Sequence, residues 1–185
     1  MSSGITKALF LDRDGTINVE RGYINDLSML ELIPGVAEAM LKAKRTGYKL
    51  AMITNQAGVG RGLTPPDMPE RIQKEIENRC GVEFDDARAC PHKPDDACAC
   101  RKPGTLNLQR SIEALQADVA KSFFIGDHLR DLECAARAGM RSILVLTGHG
   151  KDTHAELQLK PEVVPTYVAA DLAAAVEWIL AQGEG

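Results

Sequence analysis

Short, nearly all-apolar runs, each broken off by a polar or acidic residue and separated by helical patterns, constrain this chain more than any other feature. Residues 8–11 end at Asp12, residues 49–53 end at Thr54, and residues 122–125 end in Gly126-Asp127. Residues 142–146 make another such run, and residues 84–90 and 167–168 read as shorter strands. Helical spacing covers about 36–46, 66–79, 105–115, 131–138 and 172–180. Strands that are apolar throughout and alternate with helices predict a parallel sheet covered on both faces. Right-handed crossovers then bring every strand C-terminus to one edge, where such sheets bind ligands. The expected architecture is α/β, a three-layer Rossmann-like sandwich in one domain over residues 1–185. Asp12, Thr54 and Asp127 would meet in a single crevice.

Composition narrows the partners. A net charge of -4 and a pI near 5.6 argue against broad electrostatic binding of nucleic acid, although a local basic pocket remains compatible. No apolar run approaches the roughly 20 residues of a membrane span. Met1 to Thr6 is short and polar and runs straight into a strand, so no signal peptide is expected and the cytoplasm is the expected location. Of five cysteines, Cys90, Cys98 and Cys100 crowd together, whereas Cys80 and Cys134 stand apart as expected apolar fillers. That clustering suits a reduced compartment and a metal site better than a disulfide framework.

The crevice has the makings of phosphoryl chemistry. Asp12 can serve as a nucleophile, because a carboxylate can form an aspartyl-phosphate. Mg²⁺ would relieve its repulsion from an incoming phosphate, with Asp12, Asp14 and Asp127 as expected ligands. Asp14 is placed to protonate the leaving oxygen and then to deprotonate water. Thr54 and Lys102 offer a hydroxyl and an ammonium to the phosphate oxygens. Asp131, four residues after Asp127, is expected to support the metal from behind. Cys90, His92, Cys98 and Cys100 carry ligand types that suit one tetrahedral Zn²⁺ with no open position, in a loop over residues 90–100. That loop runs directly into Arg101-Lys102.

In order, Asp12-x-Asp14-Gly15-Thr16, Thr54-Asn55-Gln56, Lys102-Pro103 and Gly126-Asp127-x-x-x-Asp131 resemble the motifs of the haloacid-dehalogenase superfamily. The resemblance implies Asp12 as nucleophile, Asp14 as acid/base, Thr54 and Lys102 on phosphate, and Asp127 on magnesium. The Cys/His loop is similar to that of the heptose-bisphosphate and histidinol-phosphate phosphatase branch. Residues 16–23 and 54–62 tilt the resemblance toward the heptose-bisphosphate side. It implies a heptose 1,7-bisphosphate substrate cleaved at C7, on the route to nucleotide-activated heptose and the lipopolysaccharide core, with histidinol-phosphate hydrolysis as the alternative. By matching positions Glu20, Arg21, Gly22, Tyr23, Asn55, Gln56, Ala57, Arg101 and His128 would contact substrate, and Arg101, Arg21 and Arg61 are candidate cations for the second phosphate of a bisphosphate. His128 stands where the branch commonly has lysine, so its part in anion binding is expected to vary with pH. The metal loop is shorter than the branch leads one to expect. No interval between the motifs is long enough for a large separate cap, so an open site and a monomer are expected.

Overall fold

The apolar runs alternate between two buried faces, and that alternation builds the layers. The computed structural model describes residues 6–182; the expectation of no leader falls almost wholly outside that range. In β1 (Lys7–Leu11), Leu9 and Leu11 join one core cluster while Ala8 and Phe10 join another. The remaining strands are β2 (Tyr48–Asn55), β3 (Asp86–Cys90), β4 (Phe123–Gly126), β5 (Arg141–Val145) and β6 (Tyr167–Ala169). They form a six-stranded, all-parallel sheet in the order β3-β2-β1-β4-β5-β6. The chain reverses its direction of travel between β1 and β4, which opens a crevice at their C-terminal ends.

The helices among the described residues are α1 (Val36–Arg45), α2 (Ala57–Gly60), α3 (Met68–Cys80), α4 (Leu106–Leu115), α5 (Leu129–Arg137), α6 (Gly150–Glu156) and α7 (Leu172–Ala181). Helices α1, α3 and α7 bury their apolar stripes on the Leu9 and Leu11 face, whereas α4 and α5 cover Ala8 and Phe10. Each fully buried Leu, Ile or Phe in these layers contributes about 1.5–3 kcal/mol of transfer free energy. Cys80 and Cys134 are buried among these apolar residues, as their isolation suggested. No helix of the described residues is long and apolar enough to cross a membrane.

Several boundaries differ from the sequence reading, each for a local reason. Helix α5 starts at Leu129 and not at residue 131. His128 takes the N-cap position, and its N–H donates to the Asp131 carboxylate at 3.0 Å, closing a capping box. Strand β2 continues through Thr54 and Asn55, because β3 keeps both paired, Thr54 with Ala89 and Asn55 with Cys90. Strand β3 begins only at Asp86, since the Asp85 carboxylate takes the Leu50 N–H at 2.8 Å and turns the chain. Residues 150–156, read as loop, form α6; its buried positions are only Gly150 and Thr153, so no apolar stripe announces it.

Helix α7 depends on its cap. The Asp171 carboxylate accepts the Ala174 N–H at 2.8 Å, and the helix delivers Leu172, Ala175, Val176 and Ile179 to the core. Asp171→Ala is expected to lower stability by about 1 kcal/mol, seen in urea unfolding as a lower midpoint with unchanged slope.

Candidate active site

Asp12 follows β1 directly, and its N–H donates to the Ile125 carbonyl of β4 at 2.9 Å, so the two strand ends are locked side by side. The Lys102 ammonium lies between them, 2% exposed. It donates to the Ile53 carbonyl at 2.8 Å and forms ion pairs with Asp12 Oδ1 at 2.8 Å and Asp131 Oδ1 at 2.7 Å. Burial alone would push Lys102 down, but Asp12 and Asp131 outweigh it and hold the ammonium above its usual range. Asn55 fixes the lysine's backbone from both sides. Its Nδ2 donates to the Lys102 carbonyl at 3.1 Å and its Oδ1 accepts the Lys102 N–H at 3.0 Å.

One oxygen each from Asp12, Asp127 and Asp131 falls within 4.8 Å of the others. Burial, then the Asp131 charge, pushes Asp12 up to about 7 despite Lys102. Burial, then Asp12 and Asp131, pushes Asp127 up to about 8. Buried carboxylates that repel one another across such distances, with only oxygen to offer, fit a hard divalent cation. The backbone hugs Asp127 closely. A Cβ on Gly15 (φ +80°) or Gly148 (φ +52°) would stand 2.1 or 2.2 Å from its Oδ2, so both positions require glycine. That same Oδ2 accepts the His149 N–H at 2.7 Å.

The Asp14 carboxylate lies apart from this cluster. Arg13 donates to it at 2.8 Å, Gln56 Nε2 at 2.8 Å and Asn18 Nδ2 at 2.9 Å. Gln56 Nε2 is also 2.8 Å from Thr54 Oγ1, which accepts and so keeps its own O–H free to donate. Asp131, expected to support the metal from behind, lies within this carboxylate cluster.

Strand β3 ends in Cys90, whose carbonyl accepts the Gln56 N–H at 2.7 Å. Cys90, His92, Cys98 and Cys100 converge: the thiols stand 3.2–3.6 Å apart, and His92 Nδ1 lies 3.5 and 3.3 Å from Cys90 and Cys100. A tetrahedron with zinc–sulfur bonds of about 2.3 Å has edges of about 3.8 Å, so the set can hold one metal ion with modest expansion. Burial raises the Cys90 and Cys100 thiols; at Cys98 burial is opposed by the Arg101 N–H and the neighbouring thiols, which bring it down to about 7.

A cavity of about 290 Å³ opens over the carboxylates. Glu20, Gly22, Tyr23, Asn55, Gln56, Ala57, Arg61, Arg101 and His128 all line it, as sequence reasoning had grouped them. Arg21 does not; it pairs with Glu31 on the surface. Two further liners, Arg130 at an unspecified position of the Gly126-to-Asp131 motif and His149 outside the motifs, were given no role from the sequence. Burial, then Arg130, pushes His128 down to about 4. The permanent cation on that wall is Arg130.

Comparisons with known proteins agree with this geometry. Residues 99–175 match the family model described as HAD-hydrolase-like. D-glycero-beta-D-manno-heptose-1,7-bisphosphate 7-phosphatase of Photorhabdus laumondii is 39% identical over 84% of this chain and 88% of its own length. D-glycero-D-manno-heptose-1,7-bisphosphate 7-phosphatase of Chlorobaculum tepidum is 37% identical, covering 95% and 96%. Among solved structures, D,D-heptose 1,7-bisphosphate phosphatase from B. bronchiseptica, complexed with magnesium and phosphate, superposes with a TM-score of 0.88 at 32% identity, over 96% of this chain and 99% of that one.

The carboxylate cluster makes stability depend on pH. Asp12 and Asp127 bind protons more tightly folded, at about 7 and about 8, than unfolded. From near pH 4, where free carboxylates titrate, up to those folded values, the cation-free fold therefore loses stability as pH rises. In chelator, Asp127→Asn is expected to melt above the unsubstituted protein at pH 8, with the gap closing toward pH 5. Added divalent cation should stabilise the unsubstituted protein and not the variant; thermal melts across pH read both.

Proposed function

The chain belongs to the D-glycero-D-manno-heptose-1,7-bisphosphate 7-phosphatase family of haloacid-dehalogenase-like hydrolases, and from that premise we propose that it removes the C7 phosphate of a heptose 1,7-bisphosphate. The observation that carries this reading is the Asp12 carboxylate held 2.8 Å from the Lys102 ammonium, beside Asp127, at the floor of an arginine-bearing cavity. Asp12 attacks phosphorus, and the P–O bond to C7 breaks as the aspartyl-phosphate forms. Asp14 gives its proton to the departing oxygen, then takes one from the water that hydrolyses the aspartyl-phosphate. Arg13, Gln56 and Asn18 hold Asp14 for that work. Lys102 fixes the attacking carboxylate and faces the charge that builds on the phosphate, while the free Thr54 O–H donates to it. Asn55 acts through Lys102, since both ends of its amide are spent on that residue's backbone. Asp12 and Asp127, with Asp131 close by, would hold Mg²⁺, which would supply charge neutralisation.

The Cys90, His92, Cys98 and Cys100 set is read as a zinc site of structural type, because protein atoms fill all four positions. Its work is to hold Arg101 and Lys102 in place. Glu20 and Tyr23, which line the same cavity, face the sugar. A small phosphorylated sugar as partner suits the cytoplasm as the place of work.

Asp12→Asn is expected to lower phosphate release by at least about 10³-fold with an unchanged far-ultraviolet circular dichroism spectrum; retained turnover would sink the mechanism. Cys98→Ser should melt earlier and raise KM, and a fully active, equally stable variant would refute the zinc role. Heptose 1,7-bisphosphate, histidinol phosphate and fructose 1,6-bisphosphate should be hydrolysed at clearly different kcat/KM, the first fastest; comparable values would defeat the substrate assignment.

A further inference from the structure

Arg61, Arg101 and Arg130 line the cavity, and none forms an ion pair among the described residues. Arg101 and Arg130 also border a second depression of about 280 Å³, which shares Pro94, Arg101, Lys102 and Arg130 with the first. Its remaining walls are Ala97, Cys98 and Pro103, so no carboxylate faces it. The Lys102 charge is already balanced by ion pairs with Asp12 and Asp131, and its ammonium donates to the Ile53 carbonyl. The charge offered to an anion in this depression is therefore that of two guanidiniums.

Both are held in advance. Arg101 Nη1 donates to the His92 carbonyl of the metal loop at 3.2 Å. Arg130, in the first turn of α5, donates through Nη2 to His128 Nε2 at 2.8 Å. Each guanidinium is anchored along one edge and keeps further N–H groups free, an arrangement that recognises phosphate at low ordering cost.

We propose that Arg130 is a specificity-determining residue: together with Arg101 it binds the phosphate that is not cleaved, in the depression between α5 and the metal loop. This rests on the reading of the chain as a bisphosphate phosphatase, and it adds a residue at an unspecified position of the Gly126-to-Asp131 motif.

The test compares the unsubstituted enzyme, Arg130→Ala and Arg130→Lys on heptose 1,7-bisphosphate and on heptose 7-phosphate, which has the same reacting group and lacks the other phosphate. Losing a charge-assisted contact should raise the bisphosphate KM of Arg130→Ala by about 10- to 100-fold, with kcat held within about twofold. Its kinetics on the 7-phosphate should not change, and Arg130→Lys should recover part of the bisphosphate KM. An unchanged bisphosphate KM, or an equal rise on both substrates, would overturn the assignment of Arg130. An unsubstituted enzyme that does not prefer the bisphosphate would instead overturn the underlying substrate reading, and the inference with it.

Discussion

A buried ammonium surrounded by carboxylates is the interaction on which the rest of this site depends. Lys102 reaches Asp12 after β1, Asp131 in α5 and the Ile53 carbonyl in β2, and so joins three elements at the open edge of the sheet. An ion cluster this deep gains little net stability, because desolvation consumes most of the Coulomb attraction. Its value lies in position. Removing the lysine would leave uncompensated buried carboxylates, so the arrangement is held to one geometry. One lysine does not balance three carboxylates, and the raised Asp12 and Asp127 record the deficit that a divalent cation corrects.

Lys102 is held in turn by the segment before it. Cys90 pairs with Asn55 across the β3–β2 ladder, the metal loop returns through Cys98 and Cys100, and Asn55 clamps the Lys102 backbone. The same loop gives Arg101 its anchor at the His92 carbonyl. An ion bound by the Cys/His set would thus act on Lys102 and Arg101 through short hydrogen-bonded steps.

Much of this was legible beforehand. Buried parallel strands leave continuous apolar runs, and a residue that ends such a run must lie at the sheet's C-terminal edge; Asp12 and Asp127 could be placed on that ground alone. Thr54 was placed correctly near the edge but outside the strand, because pairing with Ala89 is a contact between distant segments that no local pattern records. Helix α5 began early for a similar reason: its cap depends on a carboxylate at Asp131 that also serves the catalytic cluster. Helix α6 lacks an apolar stripe altogether.

By itself, then, the sequence determined the chemistry: which side chains end which strands, and which thiols are spaced to share an ion. Those are properties of residue type and local order, set by hydrophobic periodicity and ligand spacing. Only the tertiary structure decided which charges remain available. Arg21 and Arg130 look alike as surface arginines in loops and helix starts, yet Glu31 neutralises the first while the second faces the cavity without an ion-pair partner among the described residues. Likewise Asp14 is drawn aside by Arg13 and Gln56 while Asp131 joins Asp12 and Asp127. Net charge at a point in space depends on which segments the fold brings within a few ångströms, and that is information held by the packed chain alone.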